Sequence, residues 1–307
     1  MNKEHLKSFV EQNPKLVKMT ESLSYPGIFV LKYSKRVFYD NLWCDELEHC
    51  RGTIVDKDFN IVSYPFQKIY NYGVEAKAPV LSDNTLVTAY RKVNGFMVAM
   101  TWYNGDILVS TTGSTQNDYV DYAKEMMLKH QCWADWQMEI CAAKGMTLMF
   151  ECVHPSDPHI VPEDAGMYFL GHRENSWDSK INMYGVSVSN WAKDYALSCL
   201  KCNYAESYVL PLSELVAKSK QVRHEGFVFY TVDGVSAKIK SPYYLTSKWV
   251  ARNPRTDKLV NMQADIKQNL DEEYYPLVDA IRANIVQYTA MDEQARLAWV
   301  RNFVDAI

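Results

Sequence analysis

Tyr90-Arg91-Lys92-Val93-Asn94-Gly95-Phe96 places a lysine where one apolar run ends and a glycine where the next begins. Thr85 to Tyr90 has strand character and Phe96 to Tyr103 reads as another strand, so Lys92 is expected at a strand-loop junction with its amine free. An amine attacks phosphorus only when uncharged, and an ordinary lysine titrates near pH ~10.4. A nucleophilic role therefore predicts a lowered pKa, through desolvation or through neighbouring cations. Arg91, Lys238 and Lys240 are the cations expected to help. Read alone, the stretch is more simply a hairpin turn with a solvated lysine on its flank, because Asn-Gly favours tight turns.

Downstream, Phe96–Met100 and Ile107–Ser110 surround Asn104-Gly105-Asp106, a strong hairpin signal. Asp118 is expected to cap one long helix running to about Lys144, with Gly145 as its stop. Met146–Val153 then reads as a strand with a single acid, Glu151, near its end. A carboxylate in so apolar a run is costly to bury unless paired, which makes Glu151 a site candidate; the plainer reading is a strand end. Met167–His172 is a further strand, a helix is expected from Ser189 or Asn190 to Leu200, and Ser213–Val216 suggests a short one. Glu225–Tyr230, Asp233-Gly234 and Val235–Lys240 form a second hairpin, whose alternation puts Lys238 and Lys240 on one face. Two such cations repel unless an anion lies between them, and phosphate is the natural one. A lysine-protected edge strand is the alternative.

Upstream, Leu6 to Leu23 has helical spacing broken by Pro14 and predicts two short helices. Ile28–Tyr33 and Thr53–Val55 are strand-like, and Asp56–Asn60 is a turn leading to Ile61–Tyr64. Arg51 and Lys68 flank this hairpin as cations, either for solubility or for a ligand. From Lys258 the apolar period is helical, with Asp292 capping a final helix Glu293 to Val304, so a small helical domain is expected to end the chain.

With 307 residues, 48% hydrophobic and 23% charged, the chain is globular and long enough for one large domain plus a smaller one. A net charge of -4 means that any nucleic-acid contact needs a local basic patch. No apolar run approaches the roughly 20 residues of a membrane span, and Met1–His5 lacks a signal-peptide core, so a soluble, cytoplasmic protein is expected. Seven cysteines include Cys199 and Cys202 in a C-x-x-C, but nothing completes a zinc set, and reduced thiols are expected.

The order of the signals carries more than any one of them. Lys92-Val93-Asn94-Gly95, Phe150-Glu151, Glu225-Gly226-Phe227-Val228 and Lys238-Ile239-Lys240 resemble the nucleotidyltransferase motifs of nucleic-acid ligases and capping enzymes. Arg51-Gly52, the Pro65–Asn71 stretch with Lys68, and Ser241-x-Tyr243-Tyr244 bring the chain closer to the bacteriophage T4 RNA ligase 1 family, over about residues 45 to 250. The resemblance implies an α+β protein, with an antiparallel-sheet nucleotidyltransferase domain over residues 1–245 and a helical domain over 246–307. It implies ATP and Mg²⁺ or Mn²⁺ as cofactors, and attack of Lys92 on the α-phosphorus to give lysyl-AMP. AMP then passes to an RNA 5′-phosphate, and a 3′-hydroxyl displaces it to seal the strand in RNA repair, with tRNA among the possible substrates. By the same likeness Lys238 and Lys240 act with Lys92 and Glu225 in catalysis, and Arg51, Lys68, Asn94 and Gly95 join the nucleotide site. Glu151 is linked to the sugar and Glu225 to the metal, either acid touching the metal directly or through water. A monomer is expected, in host cytoplasm if the chain is viral. A capping guanylyltransferase using GTP, and an RNA-end-binding protein without catalysis, are the rival readings. Two departures stand out: Asn94 replaces a common aspartate, and Thr112 stands where a basic residue often precedes Gly-Ser. Residues 258–307 match no motif and are expected to be dispensable for the first step.

Overall fold

A computed structural model describes residues 1–183, 201–252 and 275–306. β1 (Val17–Glu21), β2 (Ile28–Tyr33), β3 (Arg51–Asp56) and β4 (Ile61–Ser63) form an antiparallel sheet in sequential order. β5 (Leu86–Arg91) belongs to a second sheet. β6 (Phe96–Tyr103), β7 (Asp106–Thr111), β8 (Met146–Val153), β9 (Gly166–Glu174), β10 (Ile181–Met183) and β11 (Asn203–Tyr204) make a third. β12 (Ser207–Pro211), β13 (Gly226–Thr231) and β14 (Ser236–Lys240) return to the second. The second sheet runs β12-β5-β13-β14 and the third β10-β9-β8-β6-β7, with β11 parallel to β9.

Alternation along the strands stacks these layers. Val98 and Met100 of β6 point with Leu148 and Phe150 of β8 to one side, where helices Asp118–His130 and Trp133–Ala142 bury Val120, Met126, Trp136 and Ile140 against them. Met97 and Ala99 face the other way and meet Tyr90 of β5 and Tyr230 of β13. On the far side of the second sheet, Val87, Ala89, Phe227, Phe229 and Ala237 pack under helix Leu212–Ser219. The sheets are thus pressed together through an apolar layer, and the mouth of that layer is where a ligand can enter.

Helices Pro242–Arg252, Tyr275–Ala283, Ile285–Ala290 and Glu293–Ala306 follow the sheets, and Asp292 Oδ1 caps the last by accepting from Ala295 N at 2.8 Å. Tyr243, Tyr244, Val250, Leu277, Ile281, Leu297 and Val300 form their common core.

Two local expectations are corrected. Helix Lys3–Gln12 forms, but the second expected helix is instead edge strand β1, because Val17–Glu21 pairs along its length with β2 and that ladder overrides a weak helical pattern. The single helix expected to run to Lys144 is two, broken at Gln131-Cys132 and capped by Asn117 rather than Asp118, with Asn117 Oδ1 accepting from Val120 N at 3.0 Å. The break lets buried Trp136 fold back and donate its indole N–H to Met127 O at 2.9 Å. The helix expected to end at Leu200, and Cys199 of the C-x-x-C, lie outside the described residues. Among the described residues the six cysteines are free, and no helix is long and apolar enough to cross a membrane.

Candidate active site

Residues 92–95 carry the chain from the second sheet to the third. β5 and β6 do not pair with each other, so Asn94-Gly95 is a crossing between sheets and not the turn of a hairpin. Lys92 N is tied to Gly226 O at 2.8 Å, and Gly95 N donates to Glu151 Oε1 at 3.3 Å. A β-carbon on Gly95 would run into the Cys152 carbonyl, so only glycine lets the crossing lie flat on β8. Gly226, at φ +124°, passes equally close to the Ile239 carbonyl and sets Glu225 at the head of β13.

Glu225 is the hub. Its Oε2 takes Lys92 Nζ at 3.0 Å and Asn94 Nδ2 at 2.8 Å, and its Oε1 faces Lys240 Nζ at 3.4 Å. Asn94 Oδ1 accepts from Val161 N at 2.9 Å. The orientation of this amide follows from its neighbours, since one side must donate to a carboxylate and the other accept from an N–H. An aspartate here would lose this donor and set a second carboxylate against Glu225.

The charges do not behave as the sequence suggested. Burial by itself would lower the Lys92 pKa, but Glu225 and then Glu151 outweigh it and hold the amine above the ordinary lysine range. Arg91 does not help deprotonate it, because its guanidinium pairs with buried Glu163 Oε2 at 2.6 Å. Glu225 is held below the usual carboxylate range: burial opposes this, but Lys92, Lys240 and the bond from Asn94 prevail. Burial raises Glu151, with Lys92 opposing. Lys238 is the depressed amine, pushed down to about 7 by burial and by Lys68, Lys240 and Arg51. Lys240 is lowered mainly by burial, against the pull of Glu225.

Between the sheets lies a pocket. Arg51, Lys68, Lys92, Glu151 and Lys238 give it a charged end, while Phe66, Tyr90, Met97, Met183 and Tyr230 give it apolar walls. The Pro65–Asn71 segment reaches it by pairing with β14: Lys238 N donates to Tyr70 O, and Tyr72 N to Lys238 O, each at 2.9 Å. Lys68 is already matched, to Glu75 at 2.6 Å and over the Trp43 ring at 4.8 Å. Among the described residues no carboxylate stands within ion-pair distance of Lys238; Glu75 attracts it from farther off, but burial and the cations Lys68, Lys240 and Arg51 outweigh that pull. Lys240 and Glu225 stand outside the pocket lining, with Lys240 4.7 Å above the Tyr244 ring. Where Thr112 lacks a charge, the Lys32 side chain packs over Gly113.

The sequence reading missed the pocket walls and Glu163. Tyr90 was within its reach, since strand alternation puts it on the face of Lys92. The Tyr230 hydroxyl is buried without a hydrogen-bond partner among the described residues. No group of three or more His, Cys, Asp or Glu among the described residues could cage a metal. Glu151 and Glu225 are the carboxylates at this site that could contribute oxygens to a hard cation such as Mg²⁺, and for Glu225 this means sharing oxygens now held by Lys92, Asn94 and Lys240.

A family model described as RNA ligase, of the T4 RNA ligase 1 type, matches residues 49–244. An archaeal ATP-dependent RNA ligase superposes with a TM-score of 0.55 at 14% identity, covering 97% of this chain and 76% of that one. A candidate ATP-dependent DNA ligase from Aquifex aeolicus gives 0.54 at 16% identity, covering 97% and 77%. At such identities these likenesses concern the fold. A search of curated proteins returns no match. Because the family match runs from before Arg51 to Tyr244, and so takes in Lys92, Glu151, Glu225, Lys238 and Lys240, the chain belongs to the T4 RNA ligase 1 family of RNA ligases, enzymes of nucleotidyltransferase fold.

Proposed function

We propose that this protein is an ATP-dependent ligase that joins RNA 5′-phosphate and 3′-hydroxyl ends through a lysyl-AMP on Lys92 and an RNA-adenylate. The observation that carries this reading is Lys92 held by Glu225 at 3.0 Å, beside a pocket with a cationic end and apolar walls. The base would lie between Tyr90, Met97, Met183 and Tyr230, with the phosphates toward Arg51, Lys68 and Lys238. Phosphate at Lys238 would meet the one pocket ammonium with no carboxylate at ion-pair distance among the described residues, relieving its repulsion from Lys68 and Arg51. The chemistry is assigned to residues 1–245, with residues 246–307 in support.

In the first step the Lys92 amine, having lost a proton, forms a bond to the α-phosphorus as the bridging oxygen departs with pyrophosphate. AMP then moves to the RNA 5′-phosphate, and the 3′-hydroxyl displaces it. Glu225 and Glu151 hold Lys92 protonated in the free protein, so this ammonium needs its carboxylate field offset before it can react. Those two acids are also the groups that would hold a divalent cation, whose charge supplies that offset and neutralises phosphate. Lys238 and Lys240 stabilise negative charge as it shifts to the leaving group.

The test is sealing of a 5′-phosphorylated RNA with either ATP or GTP. Sealing with ATP supports the proposal; transfer of GMP from GTP to a 5′-diphosphate end would make the protein a capping enzyme, and RNA binding without any transfer would leave a binding protein.

A further inference from the structure

The connection between β8 and β9 holds the Lys92 loop from both sides. Glu163, with only 2% of its side chain exposed, pairs through Oε2 with Arg91 at 2.6 Å, and its Oε1 accepts from Asn94 N at 3.3 Å. One carboxylate therefore fixes the residue before Lys92 and the backbone two residues after it. Val161 N adds the 2.9 Å bond to Asn94 Oδ1, and the other end of that amide meets the same Glu225 oxygen that holds the Lys92 amine.

The connection is in turn fixed by the C-terminal helices. Ile160 and Val161 are 1% and 5% exposed, buried among Tyr243, Leu277, Ile281 and Val300. Arg301, in helix Glu293–Ala306, donates from Nε to Ile160 O at 2.7 Å and from Nη2 to His159 O. That helix is anchored to its neighbours by Arg296, whose Nε donates to Ala251 O at 3.0 Å. A continuous path of packing and hydrogen bonds thus runs from the last helix to the nucleophile.

We propose that residues 159–163 are a strut through which the C-terminal helices position Lys92, with Glu163 and Arg301 as its positioning residues. This rests on the reading of Lys92 as the nucleophile, and it gives helices Tyr275–Ala283 and Glu293–Ala306 a part in the first step that their lack of motifs did not suggest. Neither residue lines the pocket. A misplacement of the reacting nitrogen by about 1 Å, made far from the chemistry, can cost on the order of 10² in rate. The loss should therefore appear in the adenylation rate constant and not in ATP affinity.

The experiment uses the full chain and single-turnover labelling with ATP over a range of concentrations, for wild type, Arg301→Ala, Arg301→Lys, Glu163→Ala and Glu163→Gln. Thermal melts report the folded fraction of each. Arg301→Ala and Glu163→Ala are expected to lower the maximal adenylation rate about ten- to a hundredfold, with half-saturation by ATP changed less than about twofold. Arg301→Lys, which restores one donor, and Glu163→Gln, which keeps the acceptor for Asn94 N, should recover part of the rate. Sealing of RNA supplied already adenylated needs no attack by Lys92, and should fall much less. If folded Arg301→Ala and Glu163→Ala label at the wild-type rate, or if labelling falls only in proportion to folded protein, the strut is wrong. If wild type itself takes no AMP from ATP while Lys92 is intact, the assignment of the nucleophile fails instead.

Discussion

Lys238→Met should make the free protein more stable and the enzyme worse. The backbone of Lys238 is locked by its two 2.9 Å bonds to Tyr70 and Tyr72, so a methionine of similar length can follow the same path. What it removes is an ammonium pushed from 10.5 to about 7 by burial and by Lys68, Lys240 and Arg51. At about 1.4 kcal/mol per tenfold, that displacement corresponds to roughly 5 kcal/mol against the charged form. Solvent at the pocket mouth screens part of this, leaving about 1–3 kcal/mol and a rise of a few degrees in Tm. Since the folded value lies below the unfolded one, the unfolded chain binds the extra proton between about pH 7 and 10.5, and wild-type stability gains from this group as pH rises through that window. The advantage of the variant is therefore greatest below pH 7 and fades toward pH 10. Calorimetric melts at pH 6, 8 and 9.5 measure the first effect; single-turnover labelling with ATP, expected to slow by about 10² to 10³, measures the second. A variant less stable than wild type at pH 6, or an advantage growing with pH, would refute the electrostatic reasoning.

Asn94→Asp restores the residue common in this family's motif, yet it should impair this enzyme. It removes the donor to Glu225 and adds a like charge, costing about 1–3 kcal/mol in a denaturant melt and slowing adenylation; faster labelling would contradict this. Glu225→Ala should weaken the metal-dependent steps and be partly rescued by added Mg²⁺, whereas Glu151→Ala should weaken nucleotide use without rescue; identical metal responses in a Mg²⁺ titration would show the roles to be confused. Tyr230→Phe removes a buried hydroxyl that has no hydrogen-bond partner among the described residues. If that hydroxyl meets the base, half-saturation by ATP should rise about three- to tenfold, and an unchanged value in equilibrium binding would place the base elsewhere.

Turn chemistry misread Asn94-Gly95, which crosses between two sheets, whereas strand periodicity put Lys92, Glu151, Glu225, Lys238 and Lys240 in or beside the strands where they are found. The same logic put Lys238 and Lys240 on one face, and Ala237 on the opposite side is buried beneath helix Leu212–Ser219. The charge state of Lys92 was not legible: the sequence offered cations to lower its pKa, but the fold turns Arg91 away to Glu163 and brings two carboxylates close. Glu163 lies in a polar loop with no periodicity, and only the tertiary contacts of Ile160 and Val161 bring it to the nucleophile. Val17–Glu21 defeated the helical pattern for a related reason, since its partner strand is supplied from elsewhere in the chain.

The central claim is that Lys92 takes AMP from ATP. The most direct measurement is incubation of the full chain with α-labelled ATP or GTP and divalent metal, followed by peptide mapping of the labelled band. An acid-labile AMP adduct on the peptide carrying Lys92, formed from ATP and lost in both Lys92→Ala and Lys92→Arg, is the expected result, since guanidinium stays protonated near neutral pH. Labelling that survives in either variant, maps to another lysine, or comes from GTP in preference to ATP would contradict it.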